Sequence, residues 1–146
     1  CAFTIDVTSE SRPVRAIVRA VSQQGSRVVE LTTDGWRWTV DGAHRPALDG
    51  ATDLDVAATP LASTIPIRRL GHLGIGEQAV MTVVRVDAPA LAVSRVEQTY
   101  TRLEQVDGLD AWQCGDGAHG AARLLVDADG IVVEHEGLAT RVLPAR

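Results

Sequence analysis

Hydrophobic residues recur at every second position through run after run of this chain, and the pattern gives way most plainly between Asp55 and Gly74. Such alternation belongs to strands with one buried face. "AFTIDVT" (2–8), "VRAIVRAV" (14–21), "QAVMTVVRVD" (78–87) and "LAVSRVEQTYTRL" (91–103) carry it, as do "AARLLVD" and "IVVEHE" further on and "LATRVL" (138–143). In the second of these, Val14, Ala16, Val18 and Ala20 make one apolar face. Asp34-Gly35 suits a two-residue type I′ turn, so 27–41 is expected to be a hairpin in which Trp36, Trp38 and Val40 share a face. Asp129-Gly130 marks a second tight hairpin. About nine strands in mostly meander order must curl, close or split. The expected fold is therefore mainly β, a strongly curved antiparallel sheet holding one helical segment, in a single domain over 1–146.

The interruption, "DVAATPLASTIPIRRLGHLG" (55–74), supplies that segment. Thr59 before Pro60 reads as an N-cap followed by proline in the first turn. Pro66 has no N–H and would crowd the Ala62 carbonyl, so two short helices or one kinked helix are both open. Gly71 is placed to end the helix in the left-handed conformation. Leu61 with Ile65, and Ile67 with Leu70, are spaced to pack inward. Arg68 and Arg69 fall in the last turn, where cations meet the negative end of the helix dipole. Adjacent helical side chains diverge by about 100°. One arginine is then expected to pair with Asp53 or Asp55 while the other faces solvent or an anionic ligand.

Composition narrows the function classes. A net charge of −5 with no basic stripe argues against a nucleic-acid surface. No apolar run reaches the roughly 20 residues that a membrane helix needs. All 14 basic residues are arginine, and lysine is absent, which removes Schiff-base and P-loop lysine chemistry. The same bias, with abundant Ala, Val, Gly and Asp, fits a GC-rich bacterial genome. Cys1 and Cys114 have no metal spacing, and a disulfide between them is left open.

Few residues carry a catalytic pattern. Asp53 and Asp55, on a strand, would share a face about 7 Å apart, a separation that suits acid–base work, helix capping or an arginine partner. His44, His72, His119 and His135 show no ligand spacing, so no metal and no cofactor is expected. "GHLGIG" (71–76) lacks a P-loop lysine and reads as a connection. Tyr100 could meet a ligand hydroxyl or be an ordinary buried tyrosine. Trp36 and Trp38 could stack on a sugar or serve the core.

"DLDVAATPLASTIPIRRL" (53–70), "QTYTRL" (98–103) and "VDADGIVVEHEGL" (126–138), in that order and spacing, resemble the bacterial putative glycolipid-binding family over nearly the whole chain. The motif matches at Asp53, Asp55, Thr59, Pro60, Thr64, Pro66, Ile67, Arg68, Arg69 and Leu70. It departs at Leu61, where an aromatic is expected, at Ser63, where asparagine is usual, and at His135-Glu136, where an aromatic and a proline are common. The resemblance implies a spiral β-roll or half-open barrel, a long, highly curved sheet wrapped around one α-helix. Its shape would be similar to periplasmic lipoprotein carriers, and a homodimer is expected. A cytoplasmic location is expected; the resemblance also implies that the first strands of the full protein precede Cys1, which leaves export open.

The functional expectation is non-enzymatic binding of a glycolipid or other amphiphile, a fatty-acyl ligand included, in the concave face of the sheet. The candidate ligand set is Arg68, Arg69, Tyr100, Asp53, Asp55 and Thr64. Two alternatives remain: a structural or interaction dimer with no small ligand, and a hydrolase or isomerase working through Asp53 and Asp55.

Overall fold

The structure is a computed structural model that describes residues 1–23, 25–57, 59–118 and 120–142. It is mainly β, with one α-helix, a strongly curled seven-stranded sheet and a separate five-stranded antiparallel sheet. The chain forms two compact units, Cys1–Ala58 with Met81–Glu97, and Thr59–Val80 with Gln98–Arg146.

The first unit begins with β1 (Ala2–Val7), β2 (Pro13–Ser22), β3 (Gly25–Thr33), β4 (Trp38–Val40) and β5 (Ala43–His44), hydrogen-bonded in chain order. Alternation places Ala16, Val18 and Ala20 of β2 and Val29 and Leu31 of β3 on its buried face, where the register sets Val18 opposite Val29. Val14, expected on that face, is exposed at the start of β2. After a 3-10 turn at Pro46–Leu48 comes β6 (Asp53–Val56).

The helix α1 (Leu61–Leu70) follows, then β7 (Gln78–Asp87), β8 (Ala92–Val106), β9 (Leu109–Gly115), β10 (Ala121–Val126), β11 (Val132–His135) and β12 (Ala139–Thr140). Strands β6 to β12 make the curled sheet in chain order. It departs from the antiparallel expectation at one edge, because β6 pairs with β7 in parallel, Asp53 opposite Val83 and Val56 opposite Val86. The reason is topological: α1 is the crossover that returns the chain in the same direction. Twelve strands are present among the described residues, and two-residue pairings such as β5 are too short to leave an alternation.

The Asp34-Gly35 turn is not type I′, since Gly35 has φ 101° while Asp34 is not among the positive-φ residues. Residues 34–37 instead form a loop in which the Asp34 carboxylate accepts the N–H groups of Trp36 and Arg37 at 2.9 and 2.8 Å. The loop carries Trp36 off the strand to 66% exposure, against Gly50, while Trp38 is 2% exposed and donates its indole N–H to the Ala51 carbonyl at 2.9 Å. No shared tryptophan face results.

In the second unit α1 is one continuous helix through Pro66. The N-cap position falls on Pro60 instead of Thr59, and the Thr59 hydroxyl accepts the Leu61 N–H at 3.2 Å. Its inward face is Ser63, Thr64, Pro66, Ile67 and Leu70; Leu61 is turned outward instead of packing with Ile65. Gly71 continues the right-handed conformation at φ −58°, so the expected left-handed stop is absent. The Arg102 guanidinium takes over the end of the helix, donating to the carbonyls of Gly71 and Leu73 at 2.8 and 3.0 Å.

Candidate functional site

The six residues expected to meet a ligand fall into both units and have protein partners. In the first unit Asp53 is fully buried and accepts the Thr52 hydroxyl at 2.9 Å, and Asp55 lies 3.5 Å from Arg85. All four residues of β6 are buried. In the second unit Arg68 donates Nε and Nη2 to the Asp129 carbonyl at 3.3 and 3.0 Å, tying α1 to the turn after β10. Thr64 Oγ1 accepts the Val132 N–H at 3.1 Å. Tyr100 is 1% exposed and donates its hydroxyl to Gln98 Oε1 at 3.1 Å. Arg69 is half-buried on α1. Arg85 approaches Asp55, and the turn carbonyl of Asp129 takes Arg68.

The histidines are dispersed. His44 meets Asp49 at 2.9 Å, His72 Nδ1 lies 2.9 Å from the Arg69 carbonyl, and His135 Nδ1 lies 3.1 Å from the Glu136 carbonyl. His119 lies outside the described residues. Desolvation raises the Asp49 carboxyl, but hydrogen bonds from His44 and the Trp38 N–H outweigh it and leave the group below its ordinary value. Among the described residues no three potential ligands converge on a metal position. Neither Cys1 nor Cys114 is in a disulfide.

A concavity lies elsewhere, wholly within the first unit. It is a groove of about 490 Å³ on the buried face of the five-stranded sheet, a volume within the range of small-molecule sites. Val29 of β3, Val40 of β4, Leu48 of the 3-10 turn and Leu91 of the β7–β8 connection form its apolar lining. Leu91 holds φ 55°, a left-handed conformation unusual for a branched residue, with its N–H on the Asp87 carbonyl at 2.7 Å. Val28, Ala47, Ala90 and Val93 add to the lining, and Arg27, Asp41 and Arg45 are its charged members.

Local geometry explains how the charged residues come together. Asp41 and Gly42, at φ 51° and 78°, form the two-residue turn that joins Val40 to Ala43. That turn returns the chain along β4, where the Arg45 N–H meets the Trp38 carbonyl at 2.9 Å, and the Asp41 carboxylate accepts the Glu30 N–H at 2.9 Å. Arg27 has the same parity on β3 as Val29 and Leu31, so a cation stands at an inward position of the strand. Its Nη1 approaches the Ala90 carbonyl at 3.4 Å. No hydrogen bond or ion pair engages the Arg45 guanidinium among the described residues. The sequence reading missed this groove; a charge at a core-parity position was the one available sign.

No described helix is long and apolar enough to cross a membrane. Comparison with curated proteins finds no match. Among solved structures, the crystal structure of a DUF1089 family protein from Pseudomonas aeruginosa is similar, with a TM-score of 0.82 and 33% identity over 96% of this chain and 76% of that one. The family model described as "Putative glycolipid-binding" matches residues 1–141. That description supports a binding function, and with both comparisons in agreement the chain belongs to the putative glycolipid-binding family.

Proposed function

We propose that this protein binds a glycolipid or other amphiphile without transforming it, and that the apolar part of the ligand occupies the groove of the first unit. The observation that carries the reading is the groove itself, about 490 Å³ with Val29, Val40, Leu48 and Leu91 on its walls and charge beside them. An acyl chain entering it gains about 0.8 kcal/mol per buried methylene, so six methylenes supply roughly 5 kcal/mol before the costs of association. The alternative contacts on the helix side, Arg68, Thr64 and Tyr100, already have hydrogen-bond partners within the protein, which favours the groove over them. The buried environment of Asp53 and Asp55 likewise favours binding over acid–base turnover.

The test is native mass spectrometry of protein purified without detergent, then incubated with a bacterial lipid extract. A reproducible added mass that partitions into organic solvent supports the reading. A protein that stays bare after incubation contradicts it. The same spectrum reads whether the chain is a homodimer.

A further inference from the structure

We infer that the head group taken at this groove is anionic, a carboxylate or a phosphate, and that Arg27 and Arg45 hold it. The inference rests on the reading that the groove receives an acyl chain. Three observations carry it.

The first is the inventory of polar side chains. Among the residues lining the groove these are Arg27, Arg45 and Asp41 only. A neutral sugar is commonly recognised through amides, hydroxyls, carboxylates and an aromatic face, and of these side chains the lining holds only Asp41. Trp36, the exposed aromatic of this unit, lies over Gly50 and is not part of it.

The second is the balance of charge. Asp41 is the single anion, and its carboxylate already accepts the Glu30 N–H. Two guanidinium groups therefore outnumber one engaged carboxylate, in a chain whose formal net charge is −5. A local cationic site on an acidic protein discriminates among anions by contact more than by long-range attraction.

The third is the kind of cation and its state. The guanidinium fork matches carboxylate and phosphate oxygens two at a time. Arg45 has no competing partner among the described residues, and Arg27 has one long contact, at 3.4 Å. Beside them the apolar lining begins at once with Val29 and Leu48, so one molecule can satisfy both regions.

The experiment is calorimetric titration with dodecanoate, dodecyl phosphate and dodecyl maltoside, each below its micelle-forming concentration. The wild type is compared with R27Q, R45Q and the control R19Q, whose arginine is exposed on the other face of β2. The expected result is binding of at least one anionic ligand about tenfold tighter than the maltoside, a gap that narrows in high salt. R27Q and R45Q each weaken the anion about three- to tenfold, leave the maltoside unchanged, and R19Q changes neither. Preference for dodecanoate identifies a fatty acid, and preference for dodecyl phosphate a phosphate-bearing lipid; either supports the inference. Equal, arginine-insensitive binding of all three ligands overturns the head-group inference and leaves the acyl groove standing. Binding of none overturns both. The comparison of ligands on the wild type stands even if a variant fails to fold.

Discussion

Thr64, on the buried face of the helix, accepts the backbone N–H of Val132 through its hydroxyl at 3.1 Å. Val132 opens β11 and is itself buried, so without that hydroxyl its N–H would face an apolar interior. Thr64→Val keeps the shape and removes the acceptor. It should cost about 1–3 kcal/mol in urea unfolding, whereas Thr64→Ser should cost about 1 kcal/mol or less.

Gly130 sits at φ 74°, where a Cβ would stand 3.0 Å from Arg68 Cγ. Gly130→Ala combines left-handed strain with that crowding and should destabilise by about 1–2 kcal/mol. Arg68→Ala should relieve part of the penalty, so a double-mutant cycle in thermal unfolding should show less than additive loss. Full additivity would mean that Arg68 does not brace this turn.

The Asp127 carboxylate accepts the N–H groups of Ile131 and Asp129 at 3.0 and 3.1 Å and pairs with Arg141 at 2.7 Å. The Ile131 hydrogen bond is the largest cause, desolvation opposes it, and the net effect holds the carboxyl below its ordinary value of 3.8. A carboxyl that is more acidic when folded contributes stability that is complete above the unfolded-state value and is lost as pH falls through the folded one. The stability gap between wild type and Asp127→Ala should therefore be constant near neutrality and shrink on acidification below about pH 4. A gap that widens there would reverse the assignment.

Ala47 lines the groove and is exposed, so a large side chain there fills space without entering the core. Ala47→Trp should weaken amphiphile binding at least about tenfold while leaving the unfolding midpoint nearly unchanged. Unaltered binding would move the ligand to another part of the molecule.

Alternation located most long strands, and β7 matches its expected limits of 78–87. It could not find β6, because a four-residue strand buried on both faces has no alternation to show. The Asp-Gly pairs teach a second lesson. Asp41-Gly42 and Asp107-Gly108 have both residues at positive φ in two-residue turns, whereas only the glycine does so at 34–35 and 129–130. The dipeptide is the same, and side-chain hydrogen bonds to the following N–H groups select the longer loop, as with Asp34 on Trp36 and Arg37. The motif at 53–70 led correctly to the helix and the family. Of its residues, Thr64 and Arg68 hydrogen-bond within the second unit, while the groove is assembled from β3, β4, the 3-10 turn and residues 90–93. Walls drawn from such distant segments leave little local pattern.

The central claim, that an acyl chain lies in the first unit's groove, is tested most directly by methyl NMR with a spin-labelled fatty acid. Paramagnetic broadening should concentrate on the methyl groups of Val29, Val40, Leu48, Leu91 and Val93. Broadening centred instead on Ile65, Ile67 and Leu70 of the helix, or none at saturating label, would contradict the account.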